Sequence, residues 1–459
     1  MNAYPKIIRV GAWLSIVAAL VAFAVRAVEA QEPVTPPAQR LSLGDAARLA
    51  AAQTVGVLSA QFRVQQAQAR VTQARSALLP QLEAVPGWSS RTVNSASFGF
   101  NFPSPPGQPP LLDPHGQIIG PVKLWDFRGQ GSQAIIDLGA RERVRAARAG
   151  VTAADADVST AAEQAATTAA SIYVRALRSD ATLTARIADS TLAADLVAIA
   201  RDQLEAGVGV GLDVTRAQSQ LANARAQLIA ARNDRDRSRL DLRRALNLPL
   251  DTPLDLTDSI TTLAFPDITN EQSAVDIALR TRPDVRAADV QFTAAEQQIA
   301  AIRAGRLPTL GVFGNDGPTG LGFNHLLNTY TYGVQVTWPA FEGGRREGQT
   351  QEQEAVARDI DARRRDLRQQ VAADVRGAML DIASAREQVD AARERQRLAE
   401  QEVEQARDRF RAGVSGNADV ITASQSLNNA RTGLIDALTA YQAARVSLAR
   451  AEGTVSQLR

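Results

Sequence analysis

The amino-acid sequence predicts a mainly α-helical chain built as a twofold internal repeat, with a small membrane-embedded β part of four strands. Three observations carry that reading. Two stretches of nearly the same wording lie about 206 residues apart: LEAGVGVGLDVTRAQSQLANAR from Leu204 and FRAGVSGNADVITASQSLNNAR from Phe410. Each is preceded by a long Ala-, Arg- and Glu-rich run that is free of proline and nearly free of glycine. The aromatic residues collect in two short intervals, Glu83 to Leu138 and Gly311 to Phe341, where a helical core would not recruit them.

In chain order, Lys6 and Arg9, the apolar run Val10 to Val25 and the small-residue site at Val28-Glu29-Ala30 have the three-part form of a cleaved secretory signal over residues 1-30. Cleavage would remove Lys6, Arg9, Arg26 and Glu29, leaving a net charge of about zero. A mixed run such as RNDRDRSRLDLRR (Arg232 to Arg244) then reads as a solvated, ion-paired helix face, with no nucleic acid as partner. The chain has no cysteine, which excludes disulfides, thiolate chemistry and a lipidated N-terminal cysteine. No window after the leader approaches the roughly 20 apolar residues of a spanning helix.

The first repeat is expected over residues 31-247. It opens with a helix from Ser42, whose pairing with Asp45 is a capping signature, to Leu79, and Leu79-Pro80 stops it. A long helix is expected over 139-206, a glycine turn at Gly207-Val208, and a second helix over 212-247. Residues 248-270, with Pro249, Pro253 and Pro266, form an irregular connector. The second repeat, 271-459, repeats the plan: Leu307-Pro308, a long helix over 344-412, a turn at Gly413-Val414 and a helix over 419-453. Each long helix should reach roughly 100 Å, matching two shorter helices laid end to end. The stripes Ala217, Leu221, Ala224, Leu228, Ala231 and Ala423, Leu427, Ala430, Leu434, Ala437 alternate steps of four and three, a heptad seam whose alanines permit close helix approach.

The strands are read from period-two alternation at Tyr330 to Trp338 and at Phe98 to Phe102, with weaker signals near Val122 to Phe127 and Leu310 to Phe313. Trp88, Trp125, Trp338, Tyr330 and Tyr332 suit an interfacial aromatic belt facing outer membrane lipid. A small soluble β subdomain is the competing reading. Four strands cannot close in lipid, so other copies must complete the wall: eight strands from two chains, twelve from three. The prolines between Pro103 and Pro114 mark a loop at the first hairpin tip.

Chemistry is poorly supplied. His115 and His325 are the only histidines, one in each loop, and no phosphate-cradling glycine loop occurs, so the chain reads as no enzyme, with no metal site and no cofactor.

The ordered set of the two repeats, Arg282-Pro283-Asp284 ahead of Leu307-Pro308, Phe341-Glu342-Gly343-Gly344 and the two Ala-Gly-Val turns before Asp-Val resembles the TolC-like outer membrane efflux protein family. The first half departs from it, with Thr54-Val55-Gly56 in place of Arg282-Pro283-Asp284. The resemblance implies a homotrimer with one 12-stranded outer membrane β-barrel continued by an α-helical barrel across the periplasm. It implies a passive exit duct of a tripartite efflux system, served by a periplasmic membrane-fusion adaptor and an inner membrane transporter of the RND, ABC or MFS type. Gly207, Val208, Gly413 and Val414 would then be adaptor-docking tips, and Asp419 with its partner Asp213 a periplasmic constriction; the plainer role for both acids is helix capping. Thr422 stands where some members carry a second acid. The outer membrane component of type I protein secretion shares the fold, and a soluble periplasmic coiled-coil protein is the rival from a different class.

Overall fold

The structure is a computed structural model that describes residues 39–98, 107, 116–261 and 270–458. The expected signal segment, His115, most of the proline-rich loop and Pro266 in the connector lie outside the described residues.

The chain is mainly helical. Strand β1 (Gln39–Leu41) leads into helices α1 (Leu43–Gln53) and α2 (Val55–Ser76), then strands β2 (Gln81–Asn94) and β3 (Ile118–Ile136), the long helix α3 (Leu138–Glu205) and α4 (Gly211–Ala245). After β4 (Leu254–Leu256), the same order runs again: α5 (Glu271–Thr281), α6 (Pro283–Ala304), β5 (Thr309–Gly320), β6 (Leu327–Thr337), α7 (Arg345–Arg411) and α8 (Asn417–Glu452). With 68 and 67 residues, α3 and α7 each run about 100 Å at 1.5 Å per residue.

Local chemistry sets these boundaries. The Ser42 hydroxyl accepts the Asp45 N–H at 3.1 Å while the Asp45 carboxylate takes the Ser42 N–H at 3.2 Å, a reciprocal cap on α1. Asp137 caps α3 by accepting the Ala140 N–H at 2.7 Å. The single helix expected from Ser42 to Leu79 is instead two, because Thr54 is extended (φ −69°, ψ 151°) and breaks the ladder between α1 and α2. Its second-half counterpart, Arg282, is likewise extended (φ −59°, ψ 124°), and Pro283 opens α6.

Helix packing depends on small residues. Ala217, Ala224 and Ala231 on α4 and Ala423, Ala430 and Ala437 on α8 are all buried, so the backbones of neighbouring helices come close. The halves also interleave: α6 lies against both α3 and α7, and α3 lies against α8. One large core gathers residues of α1, α3, α7, α8 and the connector, with Tyr173 and Tyr441 fully enclosed. Tyr173 donates to the Leu41 carbonyl at 2.8 Å and stands 3.0 Å from the Asp258 carboxylate, which also takes the Leu43 N–H at 2.7 Å. Burial, then the Asp258 charge, pushes the Tyr173 phenol above its usual range. In the connector β4 pairs in parallel with β1, and Leu254 and Leu41 join this core.

The four long strands form one antiparallel sheet in the order β2-β3-β5-β6. Most of the strand expected at Phe98 to Phe102 lies outside the described residues; of the described ones, β2 ends at Asn94 and Ser95–Phe98 is a 3-10 turn. Pro86 and Gly87 hide this strand from a propensity reading, yet both stay in register with β3, opposite Phe127 and Asp126.

Candidate functional site: two hairpin tips and an open amphipathic sheet

Both long helices end in the same turn. After α3, Gly207 (φ +76°) donates to the Leu204 carbonyl at 3.1 Å and Val208 to the Gln203 carbonyl at 3.0 Å. After α7, Gly413 (φ +71°) donates to Phe410 at 3.0 Å and Val414 to Arg409 at 2.9 Å. This pair of bonds is a Schellman cap, and its left-handed residue explains the glycine at both places. The valines that follow have nowhere to go: Val208 is 75% exposed and Val414 70%. Val210 and Leu212 extend the apolar surface of the first tip.

The two tips are tied to each other by uncharged side chains that sequence reasoning missed. Gln203 Nε2 donates to the Phe410 carbonyl at 2.6 Å, and Asn417 Nδ2 to the Asp213 carbonyl at 2.9 Å. Asn417 is wholly buried. Below them Leu196, Val197, Ala200, Ala217, Phe410 and Val420 form a compact apolar knot joining the hairpins. The sequence signal for the link is a mismatch between the repeats, Gly416-Asn417-Ala418 against Val210-Gly211-Leu212.

Asp213 and Asp419 occupy the third helical position of α4 and α8. The plain capping role is not what they play: the N-caps are Val210 and Gly416, and neither cap makes a side-chain hydrogen bond. A carboxylate in the first turn still favours the helix dipole. The two acids differ in setting. Asp213 is half-buried with Arg216 at 4.0 Å, whereas Asp419 is exposed. Thr422, one turn later, donates its hydroxyl to the Ala418 carbonyl at 3.0 Å.

At the other end of the helices, the sheet has two chemically distinct faces. Cross-strand register places Leu82, Ala84 and Trp88 of β2, Trp125 and Phe127 of β3, Leu310 and Val312 of β5, and Tyr330, Tyr332, Val334 and Val336 of β6 on one face. Trp338 follows β6 in the same alternation. The opposite face carries Ser89, Arg91, Asp126, Arg128, Gln130, Thr329, Thr331 and Gln335, with Asp126 and Arg128 in a short ion pair. Trp88 and Trp125 are directly opposed, ring centroids 6.2 Å apart, and Tyr330 stacks on Tyr332 at 6.0 Å. Tyr332, Tyr330 and Trp338 are exposed to 80%, 69% and 67%. The edges of the sheet, β2 and β6, have no partner strand among the described residues.

A long helical stalk ending in an open sheet, greasy on one face and wet on the other, defines the class of outer membrane channels. The chain belongs to the outer membrane efflux protein family, whose model matches residues 46–248 and 274–454. It is 27% identical over 265 residues to the alkaline protease secretion protein AprF of Pseudomonas aeruginosa, a match covering 52% of each protein. The chain thus spans about half the length of this curated relative. Its fold is that of the outer membrane protein VceC of Vibrio cholerae, at 20% identity, a TM-score of 0.70 and coverage of 90% of this chain and 96% of that one. It is also that of the open-state MtrE channel of Neisseria gonorrhoeae, at 18% identity, a TM-score of 0.69 and coverage of 90% and 88%.

Proposed function

We propose that the protein is a passive exit duct: a homotrimer whose twelve strands close one outer membrane barrel, prolonged into the periplasm by the helices. The observation that carries this reading is the sheet with two edges unpaired among the described residues and one exposed apolar face. In lipid each open edge would strand backbone groups at several kcal/mol apiece, and sister chains bringing β6 to β2 remove that cost. The apolar face meets lipid and the polar face, with Arg128 and Gln130, lines water. Helix α3 then points away from the membrane, and the turns at Gly207-Val208 and Gly413-Val414 present exposed valines at the periplasmic end. They would dock a membrane-fusion adaptor, six tips per trimer, linking the duct to an inner membrane transporter of the RND, ABC or MFS type. Exposed Asp419, threefold repeated, forms a cation-attracting constriction; Asp213, held beside Arg216, contributes less to it.

The likeness to a protein named for alkaline protease secretion supports a second reading, in which the cargo is a secreted protein. The duct is common to both.

The test is assembly. Protein extracted from outer membranes in mild detergent should run as a heat-modifiable trimer and conduct in planar bilayers, and Asp419→Ala should alter conductance more than Asp213→Ala. A monodisperse monomer in detergent-free buffer, released by osmotic shock, would overturn the duct in favour of a soluble coiled-coil protein.

A further inference from the structure

We infer that the outward face of strand β3, at the end of the sheet away from the helices, is a binding site for a phosphorylated acyl lipid. The inference rests on the membrane-barrel reading above and adds a specific ligand to it.

Three observations converge along one strand. The first is a lone lysine. Apart from Lys6, Lys123 is the only lysine in the chain; every other basic side chain after it is arginine or histidine. Lys123 pairs with Ser90 across from β2, shares its face with Trp125, is exposed, and makes no ion pair among the described residues. Lysine is a compact point charge on a flexible stem, suited to a phosphate whose position varies, while arginine suits a fixed fork.

The second is the apolar platform directly beneath it. Trp125 stacks on Phe127 at 6.1 Å, and Phe323, from the β5–β6 loop, folds edge-on over both at 5.7 and 6.0 Å. Trp88 closes the side. The loop thereby brings an aromatic ring onto the lipid face.

The third is a trough that continues down the same face. Its floor is Gly129 and Gly131 of β3 and Gly314 of β5, its walls are Leu82 and Ala84 on one side and Tyr330 and Tyr332 on the other, and its volume is about 840 Å³. Glycine weakens a strand and often marks close approach of a ligand. Here neither Gly129 nor Gly314 is demanded by the fold: a Cβ at either would meet nothing closer than 3.6 Å, and neither has a positive φ. Both leave the trough open at a cost in strand stability. Asp316, at its upper lip, is engaged by Asn328 Nδ2 at 2.9 Å. Gly129 lies six positions beyond Lys123, roughly 20 Å of strand at 3.3 Å per residue. That span sets a phosphate at the rim, with the first acyl carbons over the rings and the chain in the trough.

The trimer is reconstituted in phosphatidylcholine nanodiscs carrying a small fraction of a diphosphorylated hexa-acyl glycolipid or its dephosphorylated form. Lipid retained after detergent exchange is counted by mass spectrometry. Wild type should retain the phosphorylated form about fivefold better, the contribution of one lysine at an anionic surface. Lys123→Ala should erase that preference, and Gly314→Leu should lower retention of both forms. Equal retention of the two forms by wild type, or an unchanged preference in Lys123→Ala, overturns the inference. Saturable binding of inorganic phosphate at Lys123 without selective lipid retention overturns it too, assigning the site to a free anion. Single-channel conductance is recorded on the same samples: its loss in wild type removes the duct reading itself, whereas intact conductance without lipid selectivity removes only the lipid site.

Discussion

The joint between the two short helices is built differently in the two halves, although its backbone is the same. At the second joint, Arg282 is buried and grips Asp284 through Nε and Nη2 at 3.0 and 2.6 Å, with Asp374 of α7 at 3.2 Å and the Ala451 carbonyl at 3.4 Å. Gly453, with φ +71°, caps α8 against it; a Cβ there would stand 2.8 Å from the Arg282 Cα. At the first joint stands Thr54, whose buried hydroxyl has no hydrogen-bond partner among the described residues, followed by Val55 at 66% exposure. Two extended residues at equivalent places therefore differ in what holds them: one joint is an ionic clamp on a long helix, the other rests on the packing of its flanks. A repeated backbone does not require a repeated set of side-chain contacts.

The largest effect that should separate the joints comes from Arg282→Ala. Removing the cation leaves Asp284 and Asp374 facing each other without their partner, and breaking a buried pair in this way costs about 3 kcal/mol, the low end of the usual range because both carboxylates are partly solvated. Thermal unfolding in detergent, followed by circular dichroism, should show a clear fall in Tm. The clamp also has a pH signature. Burial pushes the Asp284 carboxyl up, but the hydrogen bond and charge of Arg282 outweigh it and hold it below 3.8. A depressed carboxylate stabilises the fold above its unfolded value and loses that contribution as pH falls through the folded one. Wild type should thus lose stability on acidification below about pH 4, and Arg282→Ala should lose less. An identical acid profile in the two proteins would show that the clamp carries no net energy.

The hairpin tips provide the opposite control, because there the two halves agree. Gly207 and Gly413 have the same left-handed φ and the same two hydrogen bonds, and a Cβ at either would meet open space. Alanine at each site should therefore cost only the backbone strain, about 1 kcal/mol, and the same amount at both. Hydrogen exchange of the turn amides of Val208 and Val414 reads this locally. A clear inequality between the two variants would mean that one tip is held by contacts beyond its own turn.

Much of this was legible in the sequence because its causes are local. The long helices follow from two runs without proline, the tips from glycine at a forced left-handed position, and the heptad alanines from their spacing; β6 follows from strict alternation between Tyr330 and Trp338. What escaped has non-local causes. Strand β2 contains Pro86 and Gly87, and it is a strand through its pairing with β3, where they face Phe127 and Asp126 about 40 positions on. The break at Thr54 has no proline behind it, so the first short-helix pair reads as one helix. The amide ties of Gln203 and Asn417 join residues more than 200 positions apart, and the mismatch between the repeats at Asn417 does not say which residue it reaches. The interleaving of α6 between α3 and α7 depends on how the two halves of the chain pack against each other.

The smallest effect belongs to Thr54, and it sharpens the contrast between the joints most directly. Its hydroxyl is shielded, makes no cap bond to α2 and has no protein partner among the described residues, so it bears the cost of lost hydration without a hydrogen bond in return. Thr54→Ala removes the oxygen and one methyl group, and those two losses oppose each other. The change should leave the stability within about 0.5 kcal/mol of wild type, where Arg282→Ala lowers it strongly. A loss above about 1 kcal/mol would mean that the hydroxyl does have a partner, supplied by an ordered water or by a neighbouring chain. If the partner is a neighbouring chain, the first joint is fastened only on assembly, and the two halves differ in when they become rigid as well as in how.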